Sequence, residues 1–238
     1  MILLKKKILM QGDIEMKKYN ILIGGIFLFT LFNAWSNDDY YSKIKKDAIA
    51  GDAQAQFKIG RMYMIVSGDY EKAFYWLGKA AKQGNAEAQA DIGSFYYYGT
   101  GVKKNRKKAE EWLVKASRNG EPRAQNDLAI LYSESESRDA RCDRIWELLS
   151  SSAAKGYDMA YLNIGNYYLR GVCVERSMSK AVDWWEKAAD KGNGQAEFNL
   201  YVSYSNGSGV SMNQHTGYVY LKKSCEHGYK KACDLINE

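Results

Sequence analysis

The chain of 238 residues has one proline, two histidines and four cysteines. With a single proline against 21 glycines, little interrupts a helix, and glycine is left to make the corners. The histidines, His215 and His227, stand in no motif, so the nucleophile-and-base pairs of hydrolases find poor material here. At 46% hydrophobic residues the chain can bury a core, which excludes disorder throughout. Charge of one sign is also scarce. The formal net charge is +6, and without residues 1–36 it falls to +3, from 29 basic and 26 acidic residues. That is too mild to argue for nucleic acid.

Long apolar runs are missing except one. "MKKYNILIGGIFLFTLFNAWSN" carries two lysines, then an apolar stretch from Ile21 to Phe32, then Ala34-Trp35-Ser36 with small residues first and third. This is the pattern of a secretory signal, and the run is short for a bilayer span. No cysteine follows it, which speaks against a bacterial lipid anchor. The expected cut lies after Ser36, with Met16 a candidate start. Export to the periplasm or beyond would put the four cysteines where disulfides persist.

Six glycines mark the rest of the chain like a ruler. Gly51, Gly84, Gly120, Gly156, Gly192 and Gly228 are separated by 33 and then four times by 36 residues. A period of this length signals a repeat array. Four residues after each of the first five stands alanine (Ala55, Ala88, Ala124, Ala160, Ala196). Eight after stands Ile59, Ile92, Leu128, Ile164 or Leu200, and twelve after a tyrosine: Tyr63, Tyr96, Tyr132, Tyr168 or Tyr204. These offsets share one helical face. At offset nine, Gly60, Gly93, Ala129 and Gly165 leave room for a neighbouring helix, and Tyr201 breaks that rule, so its packing should differ. A second helix in each unit follows a capping residue: Asp69, Asn105, Ser177 or Asn213. It carries Trp76, Trp112, Trp184 or Tyr220, with Ala80, Ala116 and Ala188 one turn on. Each unit therefore reads as helix, turn, helix, and neither helix hides its apolar stripe without stacking.

"YYYGTGVKKNRKKAEEW", Tyr96 to Trp112, could be taken for a phosphate cradle, because glycines precede a basic helix start. But "GTGV" returns as "GVCV" at Gly171 and "GSGV" at Gly207, always between the two helices of a unit, and no Lys-Ser or Lys-Thr pair follows. The glycines are expected to supply positive φ at helix exits. Lys103, Lys104, Arg106, Lys107 and Lys108 then form a solvated helix start, more positive than the helix dipole prefers.

The unit "GNAEAQADIGSFYYYGTGVKKNRKKAEEWLVKASRNG" closely resembles the Sel-one-like repeat, a relative of the tetratricopeptide repeat, and the resemblance runs from Gly51 to Gly228. It implies an all-α, right-handed α/α superhelical solenoid of about five hairpins with a concave protein-binding face. The expected organisation is a signal over 1–36, a capping helix over 37–50, repeats over 51–83, 84–119, 120–155, 156–191 and 192–227, and a half-repeat cap over 228–238. Two units depart from the pattern. The first lacks three residues in its turn, and the third has "SESESRDARCDR" where the glycine turn belongs, with Arg141 in the cap place.

"SCEHGYKKACDLINE" sets Cys225 and Cys233 across a repeat boundary, within disulfide reach for a hairpin of this size. Zinc, with His227 near, and redox chemistry are the other readings. Cysteine-rich bacterial members of the resembled family carry a bridge at this spacing, and it would stabilise the terminal unit by roughly 2–3 kcal/mol. Cys142 and Cys173 lie near corners on the same edge of adjacent units, either bridged or as two partly buried thiols. "LLSSSAAKG" matches a Ser-x-x-Lys pattern through Ser152 and Lys155, but Ser152 replaces the repeat alanine and the companion motifs are missing. It reads as helix packing.

In tetratricopeptide-like arrays, first-helix residues off the packing face line the concave surface. Here that rule selects Arg61, Met64, Tyr97, Tyr98, Asn126, Asn166, Arg170, Phe198 and Asn206, a mixture that suits adaptable interfaces. Phe57, Leu162 and Phe198 have the alternative task of closing gaps between units. The reading that results is an exported monomeric scaffold that binds another protein, with no cofactor, metal, catalytic residue or nucleic acid. The alternatives are a periplasmic immunity protein that neutralises a toxin such as a phospholipase-type effector and, from resemblance to cysteine-rich relatives alone, weak penicillin-binding or β-lactamase activity.

Overall fold

The computed structural model describes residues 38–135 and 139–237, so the expected export signal lies outside the described residues. Among these, every regular element is a helix, and no helix is long and apolar enough to cross a membrane. The described residues divide into two compact units, one up to Ala124 and one from Gln125 onward.

In the first unit α1 (Asp38–Ala50) precedes two hairpins, α2 (Ala53–Met62) with α3 (Tyr70–Lys82) and α4 (Ala86–Tyr98) with α5 (Arg106–Arg118). The offsets read from the sequence are the core. Ala55, Ile59, Tyr63, Ala88 and Ile92 are buried together with Ala73, Leu77, Ala80 and Phe95. The glycines at offset nine bring the two helices of each hairpin together. A Cβ on Gly60 would lie 2.6 Å from Leu77 Cγ, and one on Gly93 would lie 2.7 Å from Leu113 Cγ. The short first turn is closed by a π-helical turn over Tyr63–Ser67 that stops at Gly68, φ 64°. Asp69 then caps α3, its carboxylate accepting from the Lys72 amide at 3.0 Å.

The helix α6 (Pro122–Ser133) carries the chain into the second unit, where α7 (Cys142–Ala154), α8 (Asp158–Arg170), α9 (Met178–Ala189), α10 (Gly194–Asn206), α11 (Gln214–Glu226) and α12 (Lys230–Ile236) follow. Leu162, Ala181, Val182, Trp185, Ala188, Ala196 and Leu200 form one core cluster there. Gly165 plays the part of Gly60, since a Cβ on it would meet the Trp185 ring at 2.6 Å. Tyr201, in the same place one hairpin later, is accommodated by a change on the opposite helix. On α11, Gly217 stands where three other second helices have Ala73, Ala109 and Ala181, and a Cβ on it would sit 2.9 Å from Ser205 Oγ and 3.3 Å from the Tyr201 carbonyl oxygen.

Corner chemistry follows the expected residues. Asn105, Ser177 and Asn213 accept from the amides of Lys108, Lys180 and Thr216. Gly99, Gly171 and Gly207 end their helices at φ 79°, 68° and 68°. The third hairpin is the exception: a 3-10 turn over Asp139–Arg141 leads into α7, and Arg141 gives that helix no side-chain cap. Both cysteine pairs are disulfides, Cys142–Cys173 and Cys225–Cys233, and no cysteine remains free. The zinc and thiol-redox readings of Cys225 and Cys233 give way to the bridge.

Candidate protein-interaction surface

The first helix of each hairpin spends one face on the core and turns other positions outward. In the first unit Arg61, Met64 and Tyr97 are half-buried, and Tyr98 is 70% exposed. Tyr97 and Tyr98 meet edge to face, with ring centroids 4.7 Å apart. The Arg61 side chain is held by Asp91 of the neighbouring first helix at 3.3 Å, and Arg123 reaches the same carboxylate oxygen at 2.6 Å. Asp91 is 2% exposed, and its Oδ2 is buried without a hydrogen-bond partner among the described residues. This buried acid had no signal in the sequence, because its two cations lie about one period before and after it.

In the second unit an amide seam joins successive first helices. Asn163 donates to Asn126 Oδ1 at 2.8 Å, and Asn166 Oδ1 accepts from Trp185 Nε1 at 3.1 Å and from Asn199 at 3.4 Å. The seam moves Asn126 off the surface: it is 2% exposed, because its amide serves Asn163 and Asp127. Asn166 is half-buried, and Arg170, one turn on, is exposed with its guanidinium beside the Tyr167 ring. Phe198 is half-buried between Tyr201 and Tyr229, at centroid distances of 5.6 and 5.2 Å, and Asn206 is exposed at the end of α10. Leu162 lies wholly in the core. The structure therefore leaves Tyr98, Arg170 and Asn206 most open, and commits Arg61, Asn166 and Phe198 partly to holding neighbouring helices.

Among the residues with chemistry elsewhere, Ser152 and Glu197 are engaged in packing. Ser152 is fully buried on α7 while Lys155 is exposed beyond its end, so the Ser-x-x-Lys pair presents no hydroxyl to solvent. His215 is exposed at the start of α11. His227 Nδ1 lies 2.8 Å from Glu197 Oε2, and that carboxylate is 1% exposed. Burial pushes the Glu197 carboxyl above its ordinary value, against the opposing pull of the His227 hydrogen bond and charge. The pair has uncharged counterparts in the first unit. Gln56 accepts from Gln83 at 2.8 Å and Gln89 accepts from Asn119 at 3.1 Å, at the matching repeat positions. Glu197 and His227 are thus the repeat's hinge-closing amide pair rewritten with ionisable groups.

The model of the Sel1 repeat matches four segments, residues 53–85, 86–121, 158–193 and 195–229, which together make up more than half of the chain. The chain belongs to the Sel1 repeat family. The matched Sel1 segments leave out the third hairpin, the one with the uncapped α7. Among solved structures, a Sel1 repeat protein from Oxalobacter formigenes is similar at 28% identity and a TM-score of 0.72, covering 86% of this chain and 82% of that one. The immunity protein Pa5087 from Pseudomonas aeruginosa is similar at 20% identity and a TM-score of 0.58, covering 79% and 74%, and shares the fold. A curated relative, the DAP3-binding cell death enhancer 1 of Rattus norvegicus, is 37% identical over 174 residues, 72% of this chain and 34% of its own length. This Sel1 chain thus spans about a third of the length of the curated relatives it matches.

Proposed function

We propose that this Sel1 repeat chain is an exported scaffold that holds another protein against the outward positions of its first helices. The carrying observation is a division of labour inside the repeat. The periodic alanines and aliphatic residues are consumed by hairpin stacking, while Tyr98, Arg170 and Asn206 stay exposed on first helices. Tyrosine and arginine are the residues that dominate protein interfaces. A relative whose name states that it binds DAP3 supports a protein as the kind of ligand. The two disulfides support an oxidising compartment, periplasmic or extracellular, as the place of work.

The test is comparative capture. Wild-type protein and a Tyr98→Ala/Arg170→Ala variant are immobilised and exposed to periplasmic extract. The expected outcome is a protein retained by the wild type and lost with the variant, while both keep the same helical circular dichroism. Identical retention by the two overturns the use of these outward positions. A captured toxin would give the scaffold an immunity role. Turnover of nitrocefin by the purified chain would replace the scaffold reading with an enzymatic one.

A further inference from the structure

The Cys142–Cys173 bridge joins cysteines in two unlike places. Cys173 has φ 60°, in the left-handed region where an L side chain is disfavoured, and the corresponding corners use Gly101 and Gly209 there. Its backbone conformation is an outlier that the surrounding structure has to hold. Cys142 is the first residue of α7, where the open amides and the positive end of the helix dipole favour a thiolate. One cysteine is therefore relieved when its backbone is let go, and the other is stabilised when its sulfur becomes an anion. Both are half-buried, while their neighbours Asp143, Gly171 and Glu175 are exposed, so a small thiol can reach the bond. Cys225 and Cys233 have neither feature. They lie within α11 and α12, and neither has a positive φ.

The bridge also ends a line of contacts that leads to the outward surface. The Trp146 indole of α7 donates to the Cys173 carbonyl oxygen at 3.2 Å. Its ring centroid lies 6.5 Å from that of Tyr167, and the Arg170 guanidinium stands 6.0 Å from the Tyr167 centroid. Arg170 closes α8, and the corner that Cys173 holds follows at once. Two backbone bonds pin that corner: the Val172 amide donates to the Tyr167 carbonyl, and the Ser177 amide donates to that of Tyr168, both at 3.0 Å.

We infer that Cys142–Cys173 is a thiol-exchange site, which a dithiol reductant opens ahead of Cys225–Cys233, and that opening it releases the corner of residues 171–177 behind Arg170. The inference does not rest on the scaffold reading. A thiolate of the reductant attacks Cys173 Sγ, the S–S bond breaks, and the electron pair leaves on Cys142 Sγ at the start of α7. The second thiol of the reductant, as thiolate, then displaces Cys173 from the mixed disulfide. Two electrons and two protons pass to the protein, which ends with two thiols, and the dithiol ends as a disulfide. Cys173 is then free to leave the left-handed region, and the corner relaxes with it.

The test equilibrates the full chain with graded ratios of reduced to oxidised dithiothreitol. Thiols are trapped with N-ethylmaleimide, and the labelled peptides are assigned by mass spectrometry. Cys142 and Cys173 are expected to be half-trapped at a ratio ~tenfold lower than Cys225 and Cys233. At a ratio where the first bridge alone is open, the Val172 and Ser177 amides are expected to exchange hydrogen ~tenfold faster than in the oxidised protein. Ser208 and Asn213, which make the same two backbone bonds one hairpin later, are expected to keep their oxidised rates. Opening of both bridges at one ratio, or of the terminal bridge first, overturns the inference. So does unchanged exchange at Val172 and Ser177, or an equal rise at Ser208 and Asn213, which would mean general loosening instead of a released corner.

Discussion

Cys173 is bridged to Cys142 at a corner that elsewhere in the chain joins a glycine to the start of the preceding second helix. Gly101 sits against Tyr70 and Gly209 against Met178, each 31 residues apart, the same separation as the two cysteines. At Gly209 a Cβ would approach the Met178 backbone to 2.6 Å. At Cys173 the place of that contact is taken by a covalent bond, with a Cα–Cα distance of 5.1 Å. The backbone conformation is retained: Cys173 has φ 60° and is the one non-glycine residue with positive φ among those described. The bridge ties down the third hairpin, which lacks the side-chain cap that the others have.

Replacing the cysteines separates the bond from the backbone. Cys142→Ala with Cys173→Ala is expected to lose about 3–4 kcal/mol of stability through the freed loop. Cys142→Ala with Cys173→Gly should lose about 1 kcal/mol less, because glycine adopts positive φ without a Cβ penalty. Denaturant unfolding of both variants under non-reducing conditions measures the difference. Equal losses would mean that the positive φ at 173 carries no cost.

Three helical glycines divide into two kinds. Gly93 and Gly165 face Leu113 and Trp185 at distances a methyl group cannot occupy, whereas a Cβ on Gly78 would meet nothing nearer than Ile92 Cδ1 at 4.0 Å. Gly93→Ala and Gly165→Ala are each expected to cost about 1–3 kcal/mol through displaced helices. Gly78→Ala is expected to add about 0.5–1 kcal/mol, since the helix of α3 keeps its path and the unfolded chain loses freedom. Thermal melts of the three single variants decide between the two kinds, and a loss in Gly78→Ala would contradict the assignment.

Glu197 gives the protein a pH dependence of definite sign. Its carboxyl is raised above the ordinary 4.5 by burial, so the folded state holds that proton more tightly than the unfolded chain does. The stability it contributes is present below 4.5 and is lost as pH rises through the raised value. Glu197→Gln removes this slope. With His227→Asn it restores the amide pair formed by Gln89 and Asn119. The double variant should gain on the wild type as pH rises above 4.5. A stability difference between the two proteins that stays constant as pH rises above 4.5 would refute the assignment.

Two asparagine caps should differ in weight. Asn105 is exposed and makes the single capping bond to Lys108. Asn193 is 8% exposed, accepts from the Ala196 amide at 3.0 Å and donates to Asp158 at 2.7 Å. Asn105→Ala is expected to cost about 0.5–1 kcal/mol and Asn193→Ala about 2 kcal/mol, because the second leaves buried groups unpaired. Equal shifts in chemical denaturation would show that burial adds nothing to the cap.

The period of the glycines made the hairpins legible, because each core position recurs with the same chemistry and repetition averages out chance. The caps of the second helices were legible for the same reason. The caps of the first helices, Asp52, Asn85 and Asn193, carried the same signal directly after a repeat glycine but were masked by it. The outward surface was legible only as a list of offsets. Asn126 shows why: its exposure depends on which amide of the next first helix it meets, and that partner, Asn163, lies 37 residues away. Asp91 and the Glu197–His227 pair were hidden in the same way, since the lateral fit of neighbouring hairpins, rather than local pattern, chooses their partners.

The meeting of Tyr201 and Gly217 carries a last consequence. Where α11 has Gly217 three other second helices have Ala73, Ala109 and Ala181, and where α10 has Tyr201 their first helices have Gly60, Gly93 and Gly165. A Cβ on Gly217 would come within 3.3 Å of the Tyr201 carbonyl oxygen. Anyone lengthening the array by design should therefore copy the fifth hairpin whole. A chimera that joined α10 to the second helix of another hairpin would bring a methyl group into that contact.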